Sequence, residues 1–141
     1  MYDWLRMDMN GKPRDLNIAR AFDNLCFDRK GELITRDFIS RPCLLETGSG
    51  WQKYHLPTHP LHYYDVWRYH LQKDAVVTIE TGNRCHVLNL VEGKQVNVTS
   101  DNGLSMVFNY AETFAVAAAA RRYSIENLGD TMAMVVVAFI K

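Results

Sequence analysis

The residues best equipped for chemistry in this chain are five histidines (His55, His59, His62, His70, His86), three cysteines (Cys26, Cys43, Cys85) and the aromatic group Tyr63, Tyr64, Trp67 and Tyr69. Their spacing excludes more than it supports. Side chains at alternate strand positions share one face, so two histidines spaced H-x-H could share an ion there, and the chain has no H-x-H pair. The nearest substitute is His59-x-x-His62, with His55 or His70 nearby. Thr58-His59-Pro60 reads as a turn, however, and no cysteine or carboxylate stands at ligand spacing around it. Histidines on the surface or on strand faces are the plainer reading, with His59 and His62 as the rival metal pair.

Other templates fail more plainly. The sequence holds no G-x-S-x-G elbow, no P-loop and no G-x-G-x-x-G. Thr47-Gly48-Ser49-Gly50 connects strands; a phosphate cradle would need a helix after it, and the run from Trp51 reads as strand. The cysteines form no C-x-x-C pair and sit among apolar residues, where buried, inert thiols are expected. The aromatic group has the right surface to stack on a sugar, although aromatics in a strand more often divide between core and rim.

These side chains must be positioned by a single modest core. The chain has 141 residues, 48% hydrophobic and 23% charged, which suits one ordinary globular domain. Lys+Arg and Asp+Glu each number 16, so neither a basic field for nucleic acid nor an acidic solvating segment is present. The longest apolar run, 132–140, suits a buried strand and is too short to span a bilayer as a helix. The cysteine pattern, with no charged-then-apolar leader, implies a cytoplasmic setting.

Turn signals recur at Lys30-Gly31, 47–50, 58–60, 81–83, Glu92-Gly93, 101–103 and 127–130, with β-branched and aromatic runs between them. The expected strands cover 38–45, 51–56, 62–71, 75–80, 85–91, 95–99, 105–108, 113–116, 122–126 and 132–141. Many short strands at this spacing describe an all-β sandwich or barrel. Within 85–91, Val87, Asn89 and Val91 face one way and His86, Leu88 and Leu90 the other. Asp101-Asn102-Gly103 is expected to form a type I′ hairpin turn. The alanine run 117–120 has helical propensity, but Phe114, Val116, Tyr123 and Ile125 favour strand, loop, strand. A short helix is expected over 15–25, capped by Asp15, with Leu16, Ile18, Ala19, Phe22 and Leu25 on its apolar face. Residues 1–30 are thus read as a lead-in with that helix and 31–141 as one domain.

The lead-in carries a resemblance. Tyr2-Asp3-Trp4-Leu5-Arg6, followed by Asp8-x-x-Gly11-Lys12-Pro13-Arg14-x-Leu16-x-Ile18-x-x-Ala21, resembles the segment of type I mannose-6-phosphate isomerases that enters their C-terminal cupin. Cys85 to Gly93 and Tyr110 to Ala119 are similar to consecutive cupin strands, and Tyr123-Ser124-Ile125-Glu126-Asn127 with the terminal apolar strand completes the pattern. Ala117 stands where that family usually has proline, Asn17 where it often has histidine, and Tyr110-Ala111 where a glycine often precedes the acidic residue.

The resemblance implies an all-β, cupin-type jelly-roll barrel with a short N-terminal helix. It implies a parent activity that interconverts mannose 6-phosphate and fructose 6-phosphate, with zinc held by a preceding cupin. In this chain Tyr123 stands at the position that usually supplies the second-motif histidine, so the barrel is expected to carry no metal of its own and the isolated chain no turnover. In the family, two arginines of an R-x-Y-D-W-x-R motif lie near the sugar phosphate. Met1 occupies the position after the first and Arg6 is the second, which implies a fragment or a stand-alone descendant. The expected partners are an N-terminal catalytic cupin in the same or a separate chain, a sugar phosphate and a second copy in a homodimer, with neither nucleic acid nor membrane. The alternative is a stand-alone carbohydrate-binding or regulatory cupin using Tyr64, Trp67 and Tyr123 at the barrel mouth. A third reading is a small metal-dependent cupin enzyme using His59 and His62.

Overall fold

The computed structural model describes residues 6–141, so residues 1–5 of the opening motif lie outside the described residues. The chain divides into two compact units, one ending at Ile39 and the other running Ser40–Lys141.

In the first unit the Asn10-Gly11 turn forms as its residues require. Asp8 Oδ1 accepts the N–H groups of Asn10 and Lys12, both at 2.8 Å, and Gly11 takes φ 72°. Helix α1 spans only Ile18–Asp23, shorter than expected, and Asp15 does not cap it: Asn17 holds the N-cap position without a side-chain bond. A second helix, α2 (Glu32–Asp37), was not legible as such and begins after Gly31, whose φ of 61° starts the turn. Neither helix contains a buried residue.

The second unit is built of strands: β1 (Cys43–Gly48), β2 (Trp51–Leu56), β3 (Tyr64–Leu71), β4 (Val76–Glu80), β5 (His86–Glu92), β6 (Gln95–Ser100), β7 (Ser105–Asn109), β8 (Thr113–Val116), β9 (Arg122–Asn127) and β10 (Ala133–Ile140). The first strand begins later than expected because Pro42 offers no N–H to a ladder and pairing starts just after it. All pairings are antiparallel, in a six-stranded sheet ordered β1-β2-β3-β10-β5-β8 and a four-stranded sheet ordered β4-β9-β6-β7. The crossovers between sheets are those of a jelly roll.

Period-two burial shows why these residues pair as they do. β10 alternates buried Ala133, Val135, Val137 and Phe139 with half-buried Met134, Val136 and Ala138, and its partners Leu71, Tyr69, Leu90 and Leu88 share the inward face. Val77, Ile79, Val96, Val98, Tyr123 and Ile125 answer from the smaller sheet, and together these residues form the core.

Two local expectations meet different outcomes. The alanine run forms only a 3-10 turn, Ala118–Ala120, because flanking β8 and β9 are committed to opposite sheets. The 101–103 hairpin forms without a type I′ turn: of its residues only Gly103 has positive φ, at 84°, and Ser100 N–H bonds Leu104 C=O at 2.9 Å. This is a three-residue loop closed by a left-handed glycine, and Asn102 serves it by accepting the Ser100 hydroxyl at 2.6 Å. Among the described residues no helix is long and apolar enough to cross a membrane.

Candidate functional site

At the end of the barrel where β3, β5 and β9 begin, the inward positions are aromatic and titratable instead of aliphatic. Trp67 on β3 lies 4.1 Å from the Phe139 ring on β10 and 6.0 Å, edge to face, from the His86 ring on β5. His86 is 1% exposed, and its Nδ1 lies 2.9 Å from the hydroxyl of equally buried Tyr123 on β9. That bond runs from one sheet to the other. Strand alternation puts both side chains inward, and the facing of the two sheets makes them meet.

Burial sets the protonation of the pair. It pushes the Tyr123 phenol far above the usual tyrosine value, and Tyr69 adds to the effect, so the O–H is retained. Burial also lowers the His86 pKa, against a backbone hydrogen bond at Thr81, with the Arg84 and Lys53 charges adding to the lowering. With the imidazole neutral, the phenol donates to Nδ1 and the second ring nitrogen is left to donate to backbone.

Two further groups line the same face of the larger sheet. Lys53 on β2 holds its ammonium 3.9 Å from the Trp67 ring centroid and 5.8 Å from that of Tyr69. Burial lowers its pKa, partly offset by the charge of Glu46. His55 Nε2 meets both carboxylate oxygens of Asp65, at 2.9 and 3.0 Å. Burial alone would raise the Asp65 carboxyl, but the hydrogen bonds from His55 and Val66 N–H, with the charges of His55 and Lys141, hold it below its usual value.

Trp67 and Tyr123 are thus brought together, with His86 between them. Tyr64 is not with them: three residues before Trp67 on β3, it lies on the outer face beside Ile140. Arg6 is an exposed residue of the first unit. His59 and His62 have ring centroids 5.7 Å apart, but His59 Nδ1 accepts the Leu61 N–H and His62 stacks on Tyr64 at 5.1 Å. Among the described residues no group of three or more His, Cys, Asp or Glu is placed to hold a metal ion. The cysteines correct an expectation, since Cys26, Cys43 and Cys85 are exposed free thiols and not buried ones. Cys85 is exposed because it precedes His86 on an alternating strand whose inward place His86 takes.

The metal that cupin barrels commonly hold does not fit the residues at this mouth. Among the described residues the one fully buried imidazole, His86, is engaged through Nδ1, the phenol opposite stays protonated, and an ammonium rather than a carboxylate stands over Trp67. The sequence placed His86 on one face with Leu88 and Leu90, without saying which face is inward, and missed its bond to Tyr123 and the placement of Lys53 and of His55 with Asp65. Inward alternation from Trp51 and Tyr69 was the available signal for Lys53.

No protein-family model and no curated protein matches this chain. Solved structures do. An RmlC-like cupin from Shewanella frigidimarina matches with TM-score 0.55 at 18% identity, over 71% of this chain and 84% of that one. The Cupin_2 domain of an XRE family transcriptional regulator from Enterobacter cloacae matches with TM-score 0.55 at 10% identity, over 66% of this chain and 98% of that one. A cupin-superfamily sugar phosphate isomerase from Silicibacter pomeroyi matches with TM-score 0.52 at 16% identity, over 65% of this chain and 60% of that one. The barrel is a cupin-type jelly roll.

Proposed function

We propose that this barrel is a binding cupin without metal chemistry of its own, serving as the C-terminal domain of a mannose-6-phosphate isomerase-like protein. The observation that carries the first half is the 2.9 Å bond between His86 and Tyr123: where a metal-binding barrel would converge free donors, this one joins its two candidates to each other. The second half rests on the opening motif around Arg6 and Gly11-Lys12-Pro13-Arg14, and is supported by the sugar phosphate isomerase among the structural matches. On this reading the zinc and the proton-transfer residues belong to a preceding cupin, in the same or another chain, and Arg6 contributes attraction for a phosphate. The free thiols suit a cytoplasmic protein.

The test has two arms. Elemental analysis of the purified chain is expected to find well under one zinc, iron or manganese per chain, and mannose 6-phosphate is expected not to turn over even with zinc added. About one tightly held ion, or zinc-dependent turnover that survives removal of host isomerase, would overturn the reading. In a complete two-cupin enzyme, Arg6→Ala is expected to raise the KM for sugar phosphate more than it lowers kcat.

A stand-alone carbohydrate-binding or regulatory cupin is the second reading. It is favoured by the cation and aromatic ring that Lys53 and Trp67 present together, a surface suited to a polar ring ligand, and by the regulator cupin among the matches. Sugar binding that does not need the opening segment would support it over the first.

A further inference from the structure

A concavity separate from the Lys53 and Trp67 face opens between the edges of the two sheets, where β7 and β8 have no further strand beside them. Its volume is about 690 Å³, within the range of small-ligand sites. Met106, Phe108, Phe114, Val116 and Ala120 make its walls, and Tyr123, which bonds His86, forms part of its floor. Phe108 from one sheet and Phe114 from the other stack at 3.7 Å and 8°, a flat aromatic plate that ties the two edges together.

Arg121 lines the rim of this cleft, and its backbone is strained. Its φ of 57° with ψ of −52° is a combination that side-chain-bearing residues avoid, in a position glycine would take more easily. The strain is held by two backbone bonds, Arg121 N–H to Ala118 C=O at 3.1 Å and Thr81 N–H to Arg121 C=O at 2.7 Å. The rim carboxylate, Asp101, is already taken by Arg122 at 3.0 Å. Among the described residues the Arg121 guanidinium makes no ion pair.

Ser100 and Asn102 add polar groups beside Asp101, but most of the lining is apolar, and a cleft of this kind with one cation outside any ion pair at its rim is complementary to an apolar body carrying one negative charge. We infer that the β7–β8 cleft binds a small alkyl or aryl carboxylate, its hydrocarbon against Phe108 and Phe114 and its carboxylate on Arg121. A single guanidinium matches a monoanionic carboxylate, which it can bind through two parallel hydrogen bonds. The inference uses neither the opening motif nor the metal question, so it stands or falls apart from the proposed function.

The experiment is a titration of the whole chain with octanoate and, separately, with octanol, followed by backbone amide NMR. Octanoate is expected to shift the signals of Phe108, Phe114 and Arg121, and octanol to bind about ten- to a hundredfold more weakly. Arg121→Gln is expected to weaken octanoate by the same factor while leaving octanol unchanged, which also shows that the cleft is intact. Arg121→Gly is expected to raise the unfolding midpoint as the strained backbone relaxes, yet to lose octanoate binding. No binding at millimolar octanoate, shifts confined to another part of the barrel, or equal affinity with and without the guanidinium would each overturn the inference.

Discussion

The two ends of the barrel solve the same problem, a buried polar side chain, in opposite ways. Where β9 ends, fully buried Asn127 gives its amide hydrogens to the carbonyls of Leu71 and Gln72, both at 3.1 Å, and of Thr131 at 2.8 Å, and accepts the Gly129 N–H at 2.9 Å. Close by, position 93 requires glycine twice over: its φ is 98°, and a Cβ there would come within 2.9 Å of Ala133. Every one of Asn127's bonds closes on backbone, so that end is a staple. At the other end His86 and Tyr123 satisfy each other across the sheets, Lys53 rests on Trp67, and Arg121 keeps a strained backbone beside an open cleft. Polar groups that serve the backbone hold the fold; at the other end they serve one another beside a concavity.

The sharpest way to break this comparison is at the staple. Asn127→Leu keeps the branched shape, with bulkier ends, but strips several buried backbone groups of their partner, and should cost about 3 kcal/mol in denaturant unfolding. A loss under about 1 kcal/mol would dissolve the distinction between the two ends. Tyr123→Phe should cost less, about 1–2 kcal/mol, because one buried nitrogen loses one partner while the ring still fills its place.

Titration sharpens the contrast further. Burial lowers the pKa of both His70 and His86, the charge of Arg68 adding to the effect on His70. Above the ordinary value of 6.5 both the folded and unfolded chains keep these rings neutral, and the fold has its full stability. As pH falls below 6.5 the unfolded chain takes up protons that the folded chain refuses, so stability should decline until the lower folded values are passed. Urea midpoints should therefore be lower at about pH 5.5 than at about pH 7.5, and His86→Gln should flatten part of that slope. The smallest effect is expected from Asp65→Asn, about 0.5 kcal/mol in thermal unfolding, since the pair with His55 is partly open to solvent.

Much of the barrel was legible because strand alternation and turn chemistry are local. The runs at 51–56 and 113–116 coincide with β2 and β8, and the opposed faces of His86 and Val87 were readable from period two alone. Misreadings came where a local signal was ambiguous. The expected strand from 38 overlooked the block imposed by Pro42, and helix α2 lies between the Lys30-Gly31 turn and that strand, in a six-residue stretch given no element. The opposed directions of Trp67 and Tyr64 also follow from period two, yet both were named together with Tyr123 as candidates for the barrel mouth.

By itself the sequence determined the all-β class, the two opposed faces of β5 and the absence of an H-x-H pair, since each depends only on neighbours along the chain. Only the tertiary structure decided which inward residues meet. His86 and Tyr123 are 37 residues apart and lie in different sheets, so their bond depends on how the sheets face each other. In sequence Arg121 was only the residue before the strand expected from 122; β8 and β9, committed to opposite sheets, put the turn between them at the edge of a cleft, with Arg121 in a strained conformation. Strand pairing propagates through the backbone and leaves a periodic trace in sequence. Contacts between sheets depend on side chains distant along the chain, and leave none.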